Sequence, residues 1–179
     1  QRRIDVGDWN AGSRVSWSAN GGLLLLEEIE YLGHNSDKPH PHRFAVVTVE
    51  SGALVVNDLR AYAAALAPDE RTLYSVSDDG VSLTDIGSGL THRLPSMGRS
   101  ANAIAIAHDG SRIAVAYQPT EDDLAHVPSV RNDKKVIKAA LKAGQVVLIH
   151  DVHTGQRTAT VAELFDKVFR VEYSPNGKE

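Results

Sequence analysis

Two turn signatures that recur in phase, each flanked by short β-forming runs, predict an all-β chain of repeated four-stranded sheets, the blade architecture of a β-propeller. The first signature reads Ser18-Ala-Asn-Gly21, Ala67-Pro-Asp-Glu70, Ala107-His-Asp-Gly110 and Ser174-Pro-Asn-Gly177. The second reads Thr48-Val-Glu-Ser-Gly52, Asp85-Ile-Gly-Ser-Gly89 and Asp151-Val-His-Thr-Gly155. Self-similarity at a period near ~40 residues marks a blade or solenoid repeat.

Taken in order, residues 1–7 stand where an outer strand would precede the first blade. The strands of that blade are expected at 14–17, 23–28, 44–49 and 53–56. The second blade begins with a small apolar strand at 61–66, turned by Pro68-Asp69-Glu70. Its second strand, 72–77, is rich in β-formers, and Asp78-Asp79-Gly80 has the Asp-Gly chemistry of a tight hairpin. Strands at 81–85 and 90–94 complete it. The third blade repeats the plan at 103–106, 112–117, 146–151 and 157–161, and residues 168–173 read as the first strand of another. The blades thus span about 14–56, 61–94 and 103–161.

First strands crowd together around a propeller axis, so short side chains are favoured there. Ala61-Tyr-Ala-Ala-Ala-Leu66 and Ala103-Ile-Ala-Ile106 meet that demand. Alanine is also the best helix former, but Pro68 and the fixed phase with Asp109 argue for strand over 61–66. Three blades with two stray strands read as a fragment of a larger propeller. The remaining blades are expected from a longer chain or another subunit, and the isolated segment is expected to aggregate or oligomerise because terminal blade faces would meet water.

The repeat departs from itself in one connection. Asn20 to Asp69 is 49 residues, Asp69 to Asp109 is 40 and Asp109 to Asn176 is 67. The difference lies between strands two and three, which the second blade joins with residues 78–80, the first with 31–42 and the third with 118–144. Alternate connections of a meander lie on opposite faces, so both insertions project from one face, beside the blade-to-blade connections. Such clustering marks a binding face, and long loops carry mobility as well as function. Within 118–144, Asn132 or Asp133 can cap the single expected helix, 133–142. Val136, Ile137, Ala140 and Leu141 line one side of it, Lys134, Lys135, Lys138 and Lys142 much of the other, and Gly144 stops it. The lysines are a candidate patch for an acidic partner, against the plainer reading of a solvated helix face.

These residues resemble the blades of WD-repeat and YVTN-type β-propellers. The resemblance rests on Ala67-Pro-Asp-Glu70, Ser174-Pro-Asn-Gly177 and Val147-Leu-Ile-His-Asp-Val-His-Thr-Gly155 and covers nearly the whole chain. His150-Asp151, Thr84-Asp85 and Val47-Thr48 occupy the place of the Trp-Asp pair, without the Trp in any copy and with the Asp in two. Gly33-His34 lies in a loop rather than opening a repeat. The resemblance implies that Asp151 anchors its turn by hydrogen bonds and that His150 is a packing residue.

Composition narrows the function. With 42% hydrophobic and 23% charged residues, the 179-residue chain has the composition of a soluble globular protein. A net charge of -4 argues against a general nucleic-acid binder. No apolar run approaches the ~20 residues that span a bilayer. The absence of cysteine excludes disulfides and a thiol nucleophile. No P-loop, Gly-x-Ser-x-Gly elbow, His-Glu-x-x-His or EF-hand motif occurs. Gly87-Ser-Gly89 is a turn, and Asp69, Asp78, Asp79, Asp85 and Asp109 read as turn-stabilising carboxylates. His108 and His150 are the residues that could be mistaken for catalytic ones. His34, His40 and His42, with Asp37, have spacing that could hold zinc or copper, but they equally form a polar loop.

No catalytic residue, cofactor or metal is therefore expected. The function expected is a non-catalytic, WD-repeat-like scaffold that docks a protein or peptide on the face carrying 31–42 and 118–144, with neither nucleic acid nor membrane as partner. The alternative is a YVTN-like, lactonase-like or cofactor-dependent propeller with its site at the channel mouth.

Overall fold

The computed structural model describes residues 13–28, 40–94, 97–130, 132–161, 163 and 166–174. Among them, three antiparallel sheets each run in strand order one to four. The first contains β1 (Arg14–Trp17), β2 (Leu23–Glu28), β3 (His42–Thr48) and β4 (Leu54–Ala61). The second contains β5 (Ala63–Leu66), β6 (Thr72–Ser77), β7 (Gly80–Asp85) and β8 (Thr91–Arg93). The third contains β9 (Ala101–Ile106), β10 (Arg112–Tyr117), β11 (Val146–Asp151) and β12 (Arg157–Thr160). Each is one blade.

Period-two alternation divides every middle strand between two cores. Leu73 of β6 packs with Leu23, Leu25, Phe44 and Val46 of the first blade. Its neighbours Tyr74 and Val76 face the third blade, meeting Ile104, Ile113, Val115 and Tyr117. On β10 the even residues Ala114 and Ala116 point the other way, toward Ala103 and Val147. Middle strands are therefore apolar on both faces, which explains runs such as Leu23-Leu-Leu-Leu26 that a one-sided sheet would not need. β1 differs: all four of its residues are exposed, Trp17 at 65%.

The two turn signatures fold identically in each blade. The amides of Val49, Ile86 and Val152 donate to the carbonyls of Gly22, Arg71 and Ser111, tying the two turns of a blade together. Those of Gly52, Gly89 and Gly155 donate to Thr48, Asp85 and Asp151. Asp85, Asp109 and Asp151 each accept from their own turn, and hydrogen bonds from Ser88, Ser111 and Thr154 hold these carboxyls below the ordinary range. Glu70 stands where the other copies have glycine and takes the left-handed conformation, φ 54°. Its carboxylate accepts from Ser18 Oγ and from the Gly22 amide at 3.1 Å, joining the first and second blades. The Ser18 bond, with the Gly22 amide, keeps the carboxyl deprotonated below its usual range. A Cβ on Gly22 would sit 2.6 Å from Glu70 Oε2, so any other residue there would push the carboxylate aside.

The opposite ends of the strands hold the connections between blades. Asp78, in the β6–β7 turn, accepts from Tyr62 Oη (2.8 Å) and Ser100 Oγ (3.2 Å), residues that lead into β5 and β9. Arg99, ahead of β9, donates to the carbonyl of Gln118, where the long β10–β11 insertion begins. That insertion and both blade connections therefore share a face.

The structure corrects several expectations. Two helices occur where one was expected: α1 (Glu121–Ala125) precedes α2 (Lys134–Ala143). Thr120 and Asp123 form a capping box that starts α1, and Asp133 caps α2 by accepting from the amides of Lys135 and Val136. Segment 118–144 is not a loose loop, because Leu124, Val127 and Val130 are buried in the core shared by the second and third blades. Ala61 ends β4 instead of opening β5, since Tyr62 alone bridges the two blades. Residues 168–173 join no sheet; Val168, Val171 and Tyr173 instead pack on the outer face of the third blade. Residues 1–7 and most of 31–42 lie outside the described residues.

Candidate functional site

Segment 118–144 is fastened to the blades by a polar cluster assembled from three stretches of chain. Asp123, only 2% exposed, lies between two arginines. Arg99 Nη2 reaches its Oδ2 at 2.8 Å and Arg157 Nη1 its Oδ1 at 3.0 Å. The amide and hydroxyl of Thr120 also donate to Oδ2, at 2.8 and 2.9 Å. Burial pushes the Asp123 carboxyl up, but the Thr120 and Arg99 bonds together outweigh it and hold the group below the ordinary carboxylate range. Arg157 also reaches Asp122 at 3.1 Å, so one guanidinium serves two carboxylates of α1. Arg99 lies over the ring of Tyr117, 4.9 Å from its centroid.

Beneath the clamp, Tyr117 and His150 meet edge to face at 5.8 Å. His150 Nδ1 donates to the Gly155 carbonyl at 3.2 Å, while Nε2 and the Tyr117 hydroxyl have no hydrogen-bond partner among the described residues. Burial drives the Tyr117 phenol far above its usual range. Burial lowers the His150 pKa, the Gly155 bond opposes that, and Arg157 and Arg99 add to the lowering. His150 is thus neutral at pH 7 and fills the core as a ring. A depressed folded pKa contributes stability above the unfolded value of about 6.5, and that stability is lost as pH falls toward the folded value. His150→Phe is accordingly expected to flatten the decline in stability below pH 6.5 while changing stability at pH 7.5 by no more than about 1 kcal/mol. Urea unfolding at pH 7.5, 6.5 and 5.5 measures this; an unchanged slope in the variant would assign the decline to other groups.

The clamp holds α2 on the blade face. Ala140 is buried, and Ile137 and Leu141 pack partly against the core, whereas Val136, 36% exposed, turns outward. Lys134, Lys135, Lys138 and Lys142 are all exposed, and none takes part in an ion pair among the described residues. The candidate metal histidines are placed differently. His34 lies outside the described residues, and His42 Nδ1 is bonded to Glu27 Oε1 at 2.6 Å. No group of three His, Cys, Asp or Glu able to hold a metal occurs among the described residues. His108 lies in a turn beside the first-strand cleft.

The first strands β1, β5 and β9, with residues 169–173, line that cleft. It is walled by small residues such as Ala63, Ala65 and Ala103, with Arg14, Glu27 and His42 at its β1 side. This is where the axis of a closed ring of blades would run.

No family model matches the chain. No curated protein matches it either. Among solved structures it is similar to TolB from Acinetobacter baumannii, with a TM-score of 0.58 and 19% identity over 93% of this chain and 36% of that one. It is also similar to hydrazine synthase from Kuenenia stuttgartiensis, with a TM-score of 0.55 and 18% identity over 92% of this chain and 39% of that one. The fold is that of a β-propeller. At these identities the likeness extends to the fold alone, and the chain spans less than two-fifths of either structure's length. No helix among the described residues is long and apolar enough to cross a membrane.

Sequence reasoning missed the clamp. Arg99 and Arg157 are 24 and 34 residues from Asp123, and no local pattern joins them. The one legible trace was Thr120-Glu-Asp-Asp123, a capping-box pattern with Asp in the closing position.

Proposed function

We propose that the chain is a non-catalytic, WD-repeat-like propeller scaffold that binds a protein or peptide partner on the face carrying residues 31–42 and 118–144. The observation that carries this reading is the way 118–144 is built. A segment with no part in any blade is packed into the core, clamped by Arg99 and Arg157, and directs four exposed lysines outward. A surface held this firmly is preorganised for docking, because little freedom remains to be lost on binding.

The test is site-specific cross-linking from the whole chain. A photoreactive residue replacing Lys135 or Lys142 is expected to give a discrete adduct with a protein partner. One replacing Ser88 or Thr154, on the turn face, is expected to give none. Adducts formed only from the turn face would overturn the reading.

A second reading has one observation in its favour. His42 and Glu27 pair at 2.6 Å beside the first-strand cleft, as in an oriented general base. That would suit a YVTN-like, lactonase-like or cofactor-dependent propeller acting at the channel mouth. Small-molecule binding that is lost in His42→Ala but unaffected by changes in α2 would favour it.

A further inference from the structure

We infer that the cleft between α1 and α2 receives a short acidic segment of the partner, with an apolar side chain inserted between Ile137 and Leu141 and carboxylates directed at Lys134 and Lys138. The inference rests on the scaffold reading above and gives its partner a chemistry. The cleft has a volume of about 500 Å3 and is lined by Glu121, Ala125, Lys134, Ile137, Lys138 and Leu141. That volume lies within the roughly 300–1,000 Å3 range of ligand pockets. Its floor is apolar and its rim is charged, the arrangement of a site that takes one apolar side chain and fixes its flanks by charge.

The charge is concentrated against the grain of the chain. The protein carries a net -4, yet four of its seven lysines stand on the ten residues of α2. Lys134 and Lys135 occupy the first turn, where the helix dipole is already positive and where acidic residues would stabilise the helix. The Asp133 carboxylate nearest them is spent on the amides of Lys135 and Val136. Seven of the nine described arginines are deployed otherwise: Arg14, Arg43, Arg60, Arg93, Arg99, Arg157 and Arg170 all sit in ion pairs within the molecule. Of the α2 lysines, Lys134 and Lys138 therefore form a cationic rim on the α2 side of the cleft, whose complement is an anionic group from outside.

The surroundings select a peptide. An extended polyanion lying along α2 would meet Glu121 and Asp122 on the neighbouring helix, so a nucleic acid finds no continuous basic track. A membrane would require apolar residues on the outward side of α2. Instead Ala140 is buried, Ile137 and Leu141 face the cleft and core, and only Val136 among the helix's larger apolar side chains is turned outward. A short acidic segment that keeps its carboxylates on the α2 side of the cleft, at Lys134 and Lys138, need not run past Glu121 and Asp122, and it needs no outward apolar surface.

Fluorescence anisotropy with the whole chain tests this, using a labelled twelve-residue Glu-rich peptide with two leucines. Its comparison probes are the same peptide with Leu changed to Ala, a Lys-for-Glu counterpart, an oligonucleotide of equal charge and anionic vesicles. The acidic Leu peptide is expected to bind best, less tightly at high salt. Lys134→Glu/Lys138→Glu is expected to weaken it at least about tenfold and to gain affinity for the Lys counterpart. Both positions are exposed, so the reversal leaves folding intact, which a melting curve checks. Equal binding by the charge-reversed chain, equal binding of the Ala peptide, or tighter binding of the oligonucleotide or vesicles would each overturn the inference. The two readings fail separately. Cross-links from Lys135 or Lys142 to a partner whose binding survives the charge reversal would remove the cleft assignment and leave the face. Absence of any adduct from that face would remove both.

Discussion

Gly80→Ala is expected to destabilise the chain by about 3 kcal/mol or more and to loosen α1 from the blades at the same time. Gly80 opens β7 with φ 96°, a conformation that side chains rarely adopt. A Cβ there would stand 2.1 Å from the Met97 carbonyl oxygen and 2.7 Å from the Arg99 amide nitrogen, both backbone atoms. Rotamer changes cannot relieve such contacts, so the connection between the second and third blades would have to move. Met97 is buried in the shared core and Arg99 supplies half of the clamp on Asp123, so one methyl group disturbs packing and electrostatics together. Gly89→Ala is the control: φ is 72° but nothing lies within 4 Å, so only backbone strain of about 1 kcal/mol is expected. Urea denaturation of both variants decides the matter. Equal losses would mean that the close approach at Gly80 contributes nothing.

Asp123→Ala is the second large effect, on the order of 2–3 kcal/mol. Removing one partner of a buried ion pair is strongly destabilising because the other charge stays behind; here the arginines are 35% and 30% exposed, so water recovers part of the loss. The capping box of α1 disappears as well. Asp122→Ala, at an exposed position with one ion pair, should cost less than about 1 kcal/mol. The pH dependence follows from the lowered carboxyl pKa. A carboxyl depressed in the folded state contributes stability that is present above its unfolded pKa, about 3.9, and is lost as pH falls through the folded value. Wild type should therefore approach the variant's stability in strong acid, and the gap should be complete by pH 5. A gap that persisted undiminished at low pH would mean that the Asp123 charge is not what stabilises α1.

The blades were legible because their signals are local. An Asp in a turn bonds amides two or three residues away, and the β-forming runs beside such turns are visible in their own composition. Strands 14–17, 23–28, 72–77, 112–117 and 146–151 could be bounded to the residue for this reason. Glu70 shows how a local reading fails. It resembles a degenerate copy of a turn glycine, but its reason is Ser18, 52 residues away. Helix α1 is five residues long, too short for a helical period to be visible. Its neighbour α2, at ten residues, shows its period, its cap and its stop. Residues 168–173 alternate like a strand, but pairing needs a partner edge that their own sequence does not specify.

On the proposed reading, residues 118–144 are a rigid part of the propeller core that presents α2 to a partner. Native-state hydrogen exchange on the whole chain measures it at the amides of Val127, Val130 and Ile137, which donate to Leu124, Val127 and Asp133. Those amides are expected to exchange with the free energy of the Val115 amide on β10, and Asp123→Ala is expected to release Val127 and Val130 while β10 stays protected. Exchange of the three amides near the rate of an unstructured peptide in the wild-type chain would contradict the claim and return 118–144 to the status of a loop.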